Sequence, residues 1–184
     1  SHWLRASVFR DDVTDTILRQ TDATVTPTVT RVSNVDKVLT QGIELVWATR
    51  DVGFKGLDLG GSFTWTDATV TANAANPAQV GKKWLRIPPQ RYTLQASYRP
   101  NSEWLFGAAY RWSSSMYNTE LNIDDNPNTY GGTSSVSQLD LKASWKFAKQ
   151  WEWGFGINNV ANQPSWQAHT MPQRSVQTEL RFSL

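Results

Sequence analysis

The chain contains no cysteine among its 184 residues. That excludes a disulfide framework, a thiolate metal site and a thiol nucleophile. Histidine occurs only twice, as His2 and His169, far apart in sequence, so no Ser-His-Asp arrangement is legible. No run of about 18 apolar residues exists, and mean hydropathy is −0.49, which rules out a membrane-spanning helix. No basic block is present either. Eighteen Lys and Arg stand against sixteen Asp and Glu, for a net charge of +2, with both signs scattered, so there is no footprint for nucleic acid. The first residues, Ser1 to Arg5, have no charged leader followed by an apolar stretch, so a signal peptide is not visible. What the chain does have is aromatics, at 12%, ten of them Trp.

Those aromatics sit in segments of period two. In the last, Val176, Thr178, Leu180, Phe182 and Leu184 alternate with Gln177, Glu179, Arg181 and Ser183; helical spacing would scatter them. Trp151, Trp153, Phe155 and Ile157 form one face of the segment before it, and Leu139, Leu141, Ala143, Trp145 and Phe147 that of an earlier one. Upstream, Trp104 to Trp112 and Tyr92 to Tyr98 repeat the pattern, as do Leu57, Leu59, Phe63 and Trp65, then Ile43, Leu45 and Trp47. Leu4, Ala6 and Val8 begin a weaker first strand that runs to about Ile17. The expected fold is all-β and antiparallel, with about eight strands. Short turns are expected near Asp51 to Lys55, Arg99 to Ser102 and Ala148 to Gln150. Long polar loops are expected over Thr21 to Ser33, Asp67 to Lys83, Ser113 to Ser135 and Ala161 to Gln173. All short turns then share one rim and all long loops the other, the asymmetry of a bacterial outer-membrane barrel.

Alternation does not say which face is outward, but chemistry does. The face opposite the aromatics carries Glu44, Asp58, Arg91, Arg99, Asp140, Lys142, Glu152, Glu179 and Arg181, each costly to bury in lipid unpaired. These are expected to line a wet lumen, with the aromatic face toward lipid. Trp47, Trp65, Trp104, Trp112, Trp145, Trp151 and Trp153 are the expected membrane-interface belt. Trp104 and Trp112 lie eight residues apart on one face. At a tilt of about 40° that spacing covers roughly 20 Å of membrane normal, close to the height of an apolar band between aromatic girdles. The competing fold is a soluble calyx with its apolar face inward, whose small interior ten Trp would overfill.

Candidate chemistry is sparse. Tyr117, Tyr130, Trp166 and His169 fall in the long loops and are the candidate ligand-binding residues, with His169 placed to touch a metal chelate; solvated loop side chains are the plainer alternative. Asn122, Asp124, Asn126 and Asn128 alternate oxygens like a calcium loop, but Asx turns around Pro127 explain them more simply. Gly154-Phe-Gly156 lacks the third glycine of a dinucleotide fingerprint, and no Gly-x-Ser-x-Gly elbow occurs. Neither catalysis nor a resident metal or cofactor is expected.

Several segments resemble the C-terminal barrel of TonB-dependent outer-membrane receptors. These are Ala6 to Ile17, Thr40-Gln-Gly-Ile-Glu-Leu45, Gly60-Gly-Ser-Phe-Thr-Trp-Thr-Asp-Ala68, Ile87-Pro-Pro-Gln-Arg91, Tyr117-Asn-Thr, Asn126 to Gly132, the turn Asn158 to Asn162, and Pro172-Gln-Arg174. Order and spacing carry the likeness along nearly the whole chain. It departs at Leu184, where the family usually ends in an aromatic, and after Asn162, where Trp166 stands in for the usual Tyr. The resemblance implies that residues 1–184 are a single segment of a 22-stranded barrel whose N-terminal plug and remaining strands lie outside this chain. It also implies a Gram-negative outer-membrane location and active uptake of a scarce nutrient, a ferric siderophore being the commonest cargo. Implied partners are outer-membrane lipid and lipopolysaccharide, TonB through the plug, and a metal chelate or other small molecule. The alternative is a complete small eight-stranded barrel with a structural or adhesive role.

Overall fold

A computed structural model describes residues 1–184. Eight strands form one antiparallel sheet in simple up-and-down order: β1 (His2–Asp22), β2 (Val29–Thr49), β3 (Leu57–Ala72), β4 (Gln90–Tyr98), β5 (Trp104–Ser113), β6 (Val136–Ala148), β7 (Trp151–Asn158) and β10 (Ser175–Phe182). The two-residue strands β8 (Trp166–Gln167) and β9 (His169–Thr170) make a separate hairpin between β7 and β10. The only helical turn is the 3-10 turn Pro77–Gln79. β1 and β10 are the two sheet edges and do not pair, so these eight strands do not close on themselves.

Register carries the expected alternation across the whole sheet. Leu4 faces Trp47, Leu45 faces Phe63, Phe63 faces Tyr92, and Tyr92 faces Trp112. Leu139 faces Tyr110, Leu141 faces Ile157, and Leu180 faces Trp153. A one-residue slip anywhere would send these side chains to the opposite face. The aromatic face has no second layer over it: Leu94, Phe106 and Phe155 are exposed at mid-strand. Only four apolar side chains are buried, Val35, Val38, Ala68 and Val70. An inward-facing calyx would bury this apolar face, so that fold is excluded.

Two connection boundaries differ from expectation. Instead of stopping near Ile17 before a long loop over Thr21 to Ser33, β1 continues to Asp22, and β2 already begins at Val29. The segment is rich in β-branched Thr and Val, which suit an extended ladder, and only residues 23–28 remain as a turn. β3 likewise runs through Ala72, so residues 67–72 are strand and the long connection is 73–89. At 21 residues each, β1 and β2 rise roughly 50 Å along a barrel normal, about twice an apolar band, so their upper halves form a spur. Beside a register shift at which Thr71 of β3 is the extra residue, Val35 and Val38 of β2 join Val70 in a small apolar cluster flanked by Leu18 and Trp84. This cluster anchors the base of the long-loop end.

Candidate functional site

Three of the four candidate ligand residues come together, and backbone chemistry explains why. After β7, Asn159 and Asn162 both adopt left-handed φ, 51° and 53°, which Asn tolerates better than most residues. Asn159 Oδ1 accepts from the Gln163 amide at 2.9 Å, and Asn162 Oδ1 accepts from the Arg174 amide at 2.9 Å, so the turn closes both arms of the last loop. Between the arms, β8 and β9 fold back at Ala168, φ 63°. This hairpin zips onto the loop after β5. The Gly131 amide donates to the Ala168 carbonyl at 2.8 Å, the Ala168 amide to Gly132 O at 2.8 Å, and the Ser134 amide to Trp166 O at 2.9 Å.

The zip brings the Tyr130 ring to 5.5 Å from Trp166 and 6.0 Å from His169, both edge-on, with Tyr130 itself 70% exposed. A phenol, an indole and an imidazole therefore share one open surface on the long-loop rim, offering π faces and directional polar groups to a ligand. Tyr117 lies elsewhere in the same loop: its carbonyl accepts from the Arg86 amide at 2.9 Å, and its ring stacks with none of these three. Three of the four residues of the candidate calcium loop have side-chain oxygens engaged by backbone amides. Asn126 Oδ1 accepts from the Asn128 amide at 2.9 Å, Asp124 accepts from the Asn118 and Thr119 amides at 3.0 and 3.3 Å, and Asn122 Oδ1 accepts from the Lys83 amide at 2.7 Å.

The seven tryptophans expected to form a membrane-interface belt all lie on the apolar face, divided between the two rims. Trp47, Trp104, Trp145, Trp151 and Trp153 gather toward the short turns. Trp104 stacks on Trp145 at 5.4 Å and on Phe106 at 5.5 Å; Trp151 meets Phe182 at 4.9 Å. Toward the long loops, Trp112 stacks on Tyr92 at 5.0 Å. Trp65 is mid-strand because β3 overshoots it, but it pairs with Gln90, where β4 starts.

The other face is wired by ion pairs between neighbouring strands: Arg5 with Glu44 at 3.6 Å, Arg99 with Asp58 at 3.3 Å, Arg111 with Asp140 at 2.6 Å, and Arg181 with Glu152 at 3.8 Å. At the tip of the spur, well above the apolar stretch Leu4 to Val8, Asp22 is buried. The Thr24 hydroxyl and amide, and then Arg31, hold its carboxyl below the usual carboxylate range against the opposing effect of burial.

The family model described as "TonB dependent receptor-like, beta-barrel" matches residues 1–160. The chain belongs to the TonB-dependent receptor β-barrel family. This is a family of outer-membrane receptors and transporters, not enzymes. Solved structures agree on the fold. The siderophore receptor PiuA from Acinetobacter baumannii superposes with a TM-score of 0.78 at 20% identity, over 97% of this chain and 26% of that one. The ferric citrate transporter FecA in its unliganded form gives 0.80 at 16% identity, over 98% and 29%. The copper transporter OprC gives 0.71 at 15% identity, over 100% and 29%. The chain thus spans between a quarter and a third of the length of these TonB-dependent receptors. No curated protein matches it.

Sequence reasoning missed the polar side chains that join the loops of this receptor wall. Gln20, Asn73 and Gln79 are buried at the long-loop end and bonded to one another. Nothing periodic marks them, and amides in a polar stretch read as surface.

Proposed function

We propose that this chain forms eight adjoining strands of the wall of an outer-membrane receptor that actively takes up a ferric siderophore. The Trp-bearing face meets lipid, and the ion-paired face lines the lumen around a plug. Lipid and lipopolysaccharide surround the barrel, and TonB acts through the plug, which lies outside residues 1–184. The observation that carries the cargo reading is the exposed Tyr130, Trp166 and His169 surface on the long-loop rim. Its rings suit stacking against a flat or aromatic chelate, and a single imidazole can add one polar contact to a metal already wrapped by other ligands. Tyr117 extends the same rim as a fourth contact. PiuA and FecA, whose names specify a siderophore and ferric citrate, favour iron chelates over the copper of OprC.

Receptor-deficient cells carrying the full-length receptor should regain growth on one or a few ferric chelates from a panel. Replacing Tyr130 and Trp166 together by Ala should weaken binding of that chelate at least tenfold, with barrel assembly unchanged. Rescue by no ferric chelate, or full affinity in the double variant, refutes the reading.

A further inference from the structure

Glu120 sits in the loop after β5, yet its carboxylate is filled by donors from two other segments. Oε1 accepts from the Thr21 amide at 3.2 Å. Oε2 accepts from the same amide at 3.2 Å, from Asn76 Nδ2 at 3.3 Å and from Gln79 Nε2 at 2.8 Å. No Lys, Arg or His pairs with it; all of its protein donors are neutral. Thr21 belongs to the spur, and Asn76 and Gln79 to the connection between β3 and β4. Those two segments are also joined beneath the carboxylate. Asn73 Nδ2 donates to Gln20 Oε1 at 2.7 Å and to Gln79 Oε1 at 2.8 Å, while Gln20 Nε2 donates to Asn34 O at 2.8 Å. Gln20 and Gln79 have almost no solvent exposure, so every amide in the set depends on its protein partners.

The chain of bonds continues sideways. Arg86 Nε donates to Asn118 Oδ1 at 2.8 Å, and Asn118 Nδ2 donates to the Gly131 carbonyl at 2.5 Å. The Gly131 amide is the one that donates to Ala168 in the last loop. One hydrogen-bonded layer therefore runs from the spur, through both central loops, to the hairpin beneath His169.

We infer that Glu120 is the clasp of a single rigid cap, so that the spur turn 23–28 and the three long connections 73–89, 114–135 and 159–174 move as one body. Removing the carboxylate leaves the Thr21 amide and two buried carboxamides short of acceptors at once. The structural claim stands on the bonding pattern alone and does not depend on what the receptor carries.

The test is amide hydrogen exchange by mass spectrometry on the full-length receptor in detergent. In Glu120→Ala, exchange should rise about tenfold in peptides covering residues 18–31 and 73–89, and also in 131–134 and 166–168, which Glu120 does not touch. Exchange in β4 to β7 should stay unchanged. A rise confined to residues 114–125, or no rise, overturns the inference. Should Glu120→Ala fail to assemble, as judged by loss of heat-modifiable mobility, Glu120→Gln is read on the same peptides. It keeps one acceptor oxygen but sets an NH2 group near the Thr21 amide, so a smaller rise in 18–31 and 166–168 is expected. Wild-type exchange at both segments in that variant would equally overturn it.

Discussion

At the residue scale, close approach of neighbouring strands decides where side chains are allowed. Gly42 lies at the centre of β2, and a Cβ there would run into the Trp65 carbonyl and the ring of Phe9 on the adjacent strand. Phe9 faces Gly42 across the ladder, so its ring fills the gap that the missing side chain leaves. Gly61 is covered in the same way on the opposite face: a Cβ there would meet Trp47 Nε1 and the Thr93 carbonyl, both at 2.8 Å. Gly42→Ala in the full-length receptor should therefore cost about 1–3 kcal/mol by overpacking. Adding Phe9→Leu should recover only part of that loss, because the Trp65 carbonyl belongs to the backbone and cannot be trimmed. Urea unfolding in lipid vesicles measures both. A neutral Gly42→Ala would show that the ladder yields there.

At the element scale, the two faces of one strand make opposite demands. Leu94 and Gln95 are neighbours at the middle of β4; Leu94 pairs with Tyr110 on the apolar face and Gln95 with Ala109 on the polar one. Under the lipid-facing assignment, Leu94→Arg should destabilise the folded receptor by about 2–4 kcal/mol. Gln95→Arg should cost under about 1 kcal/mol, since its head enters a hydrated channel. The same unfolding measurement decides it, and equal costs at the two positions would remove the basis for placing lipid on the Trp-bearing face. Elements with one wet and one oily side are also those legible in the sequence. β4, β5, β7 and β10 alternate throughout because each has one apolar and one polar face, and their ends fall within two residues of those expected. The upper halves of β1 and β2 run past the neighbouring strands of the sheet. Thr, Val, Asp and Arg mix there without a period, and pairing between the two strands supplies what alternation does not announce. The site divides along similar lines. Tyr130, Trp166 and His169 were recognisable as loop aromatics, but their convergence depends on backbone bonds between residues 131–134 and 166–168 that no side-chain pattern records.

At the scale of the whole molecule, the decisive property is an open sheet. A barrel satisfies its backbone only by closing, and here β1 and β10 each present an outer edge without a partner. Both edges are also exposed apolar surface, with Leu4, Val8, Val176 and Leu180 more than half exposed. In water such edges seek other edges, and in a bilayer their amides and carbonyls find no donor or acceptor at all. Residues 1–184 produced alone should consequently aggregate, or pair edge to edge into mixed oligomers, when refolded into detergent micelles. The full-length receptor, whose remaining strands can cap both edges, should refold to a monomer with heat-modifiable mobility on an unboiled gel. Size-exclusion chromatography with light scattering distinguishes the two outcomes. A monodisperse, heat-modifiable monomer of residues 1–184 would require β1 to pair with β10, an arrangement in which the side chains of eight strands must fill the lumen. The interior face offers little for that: Gly60, Gly107 and Gly154 leave the wall thin where a small barrel needs bulk. A wide channel has no such need, because water and a plug occupy its centre.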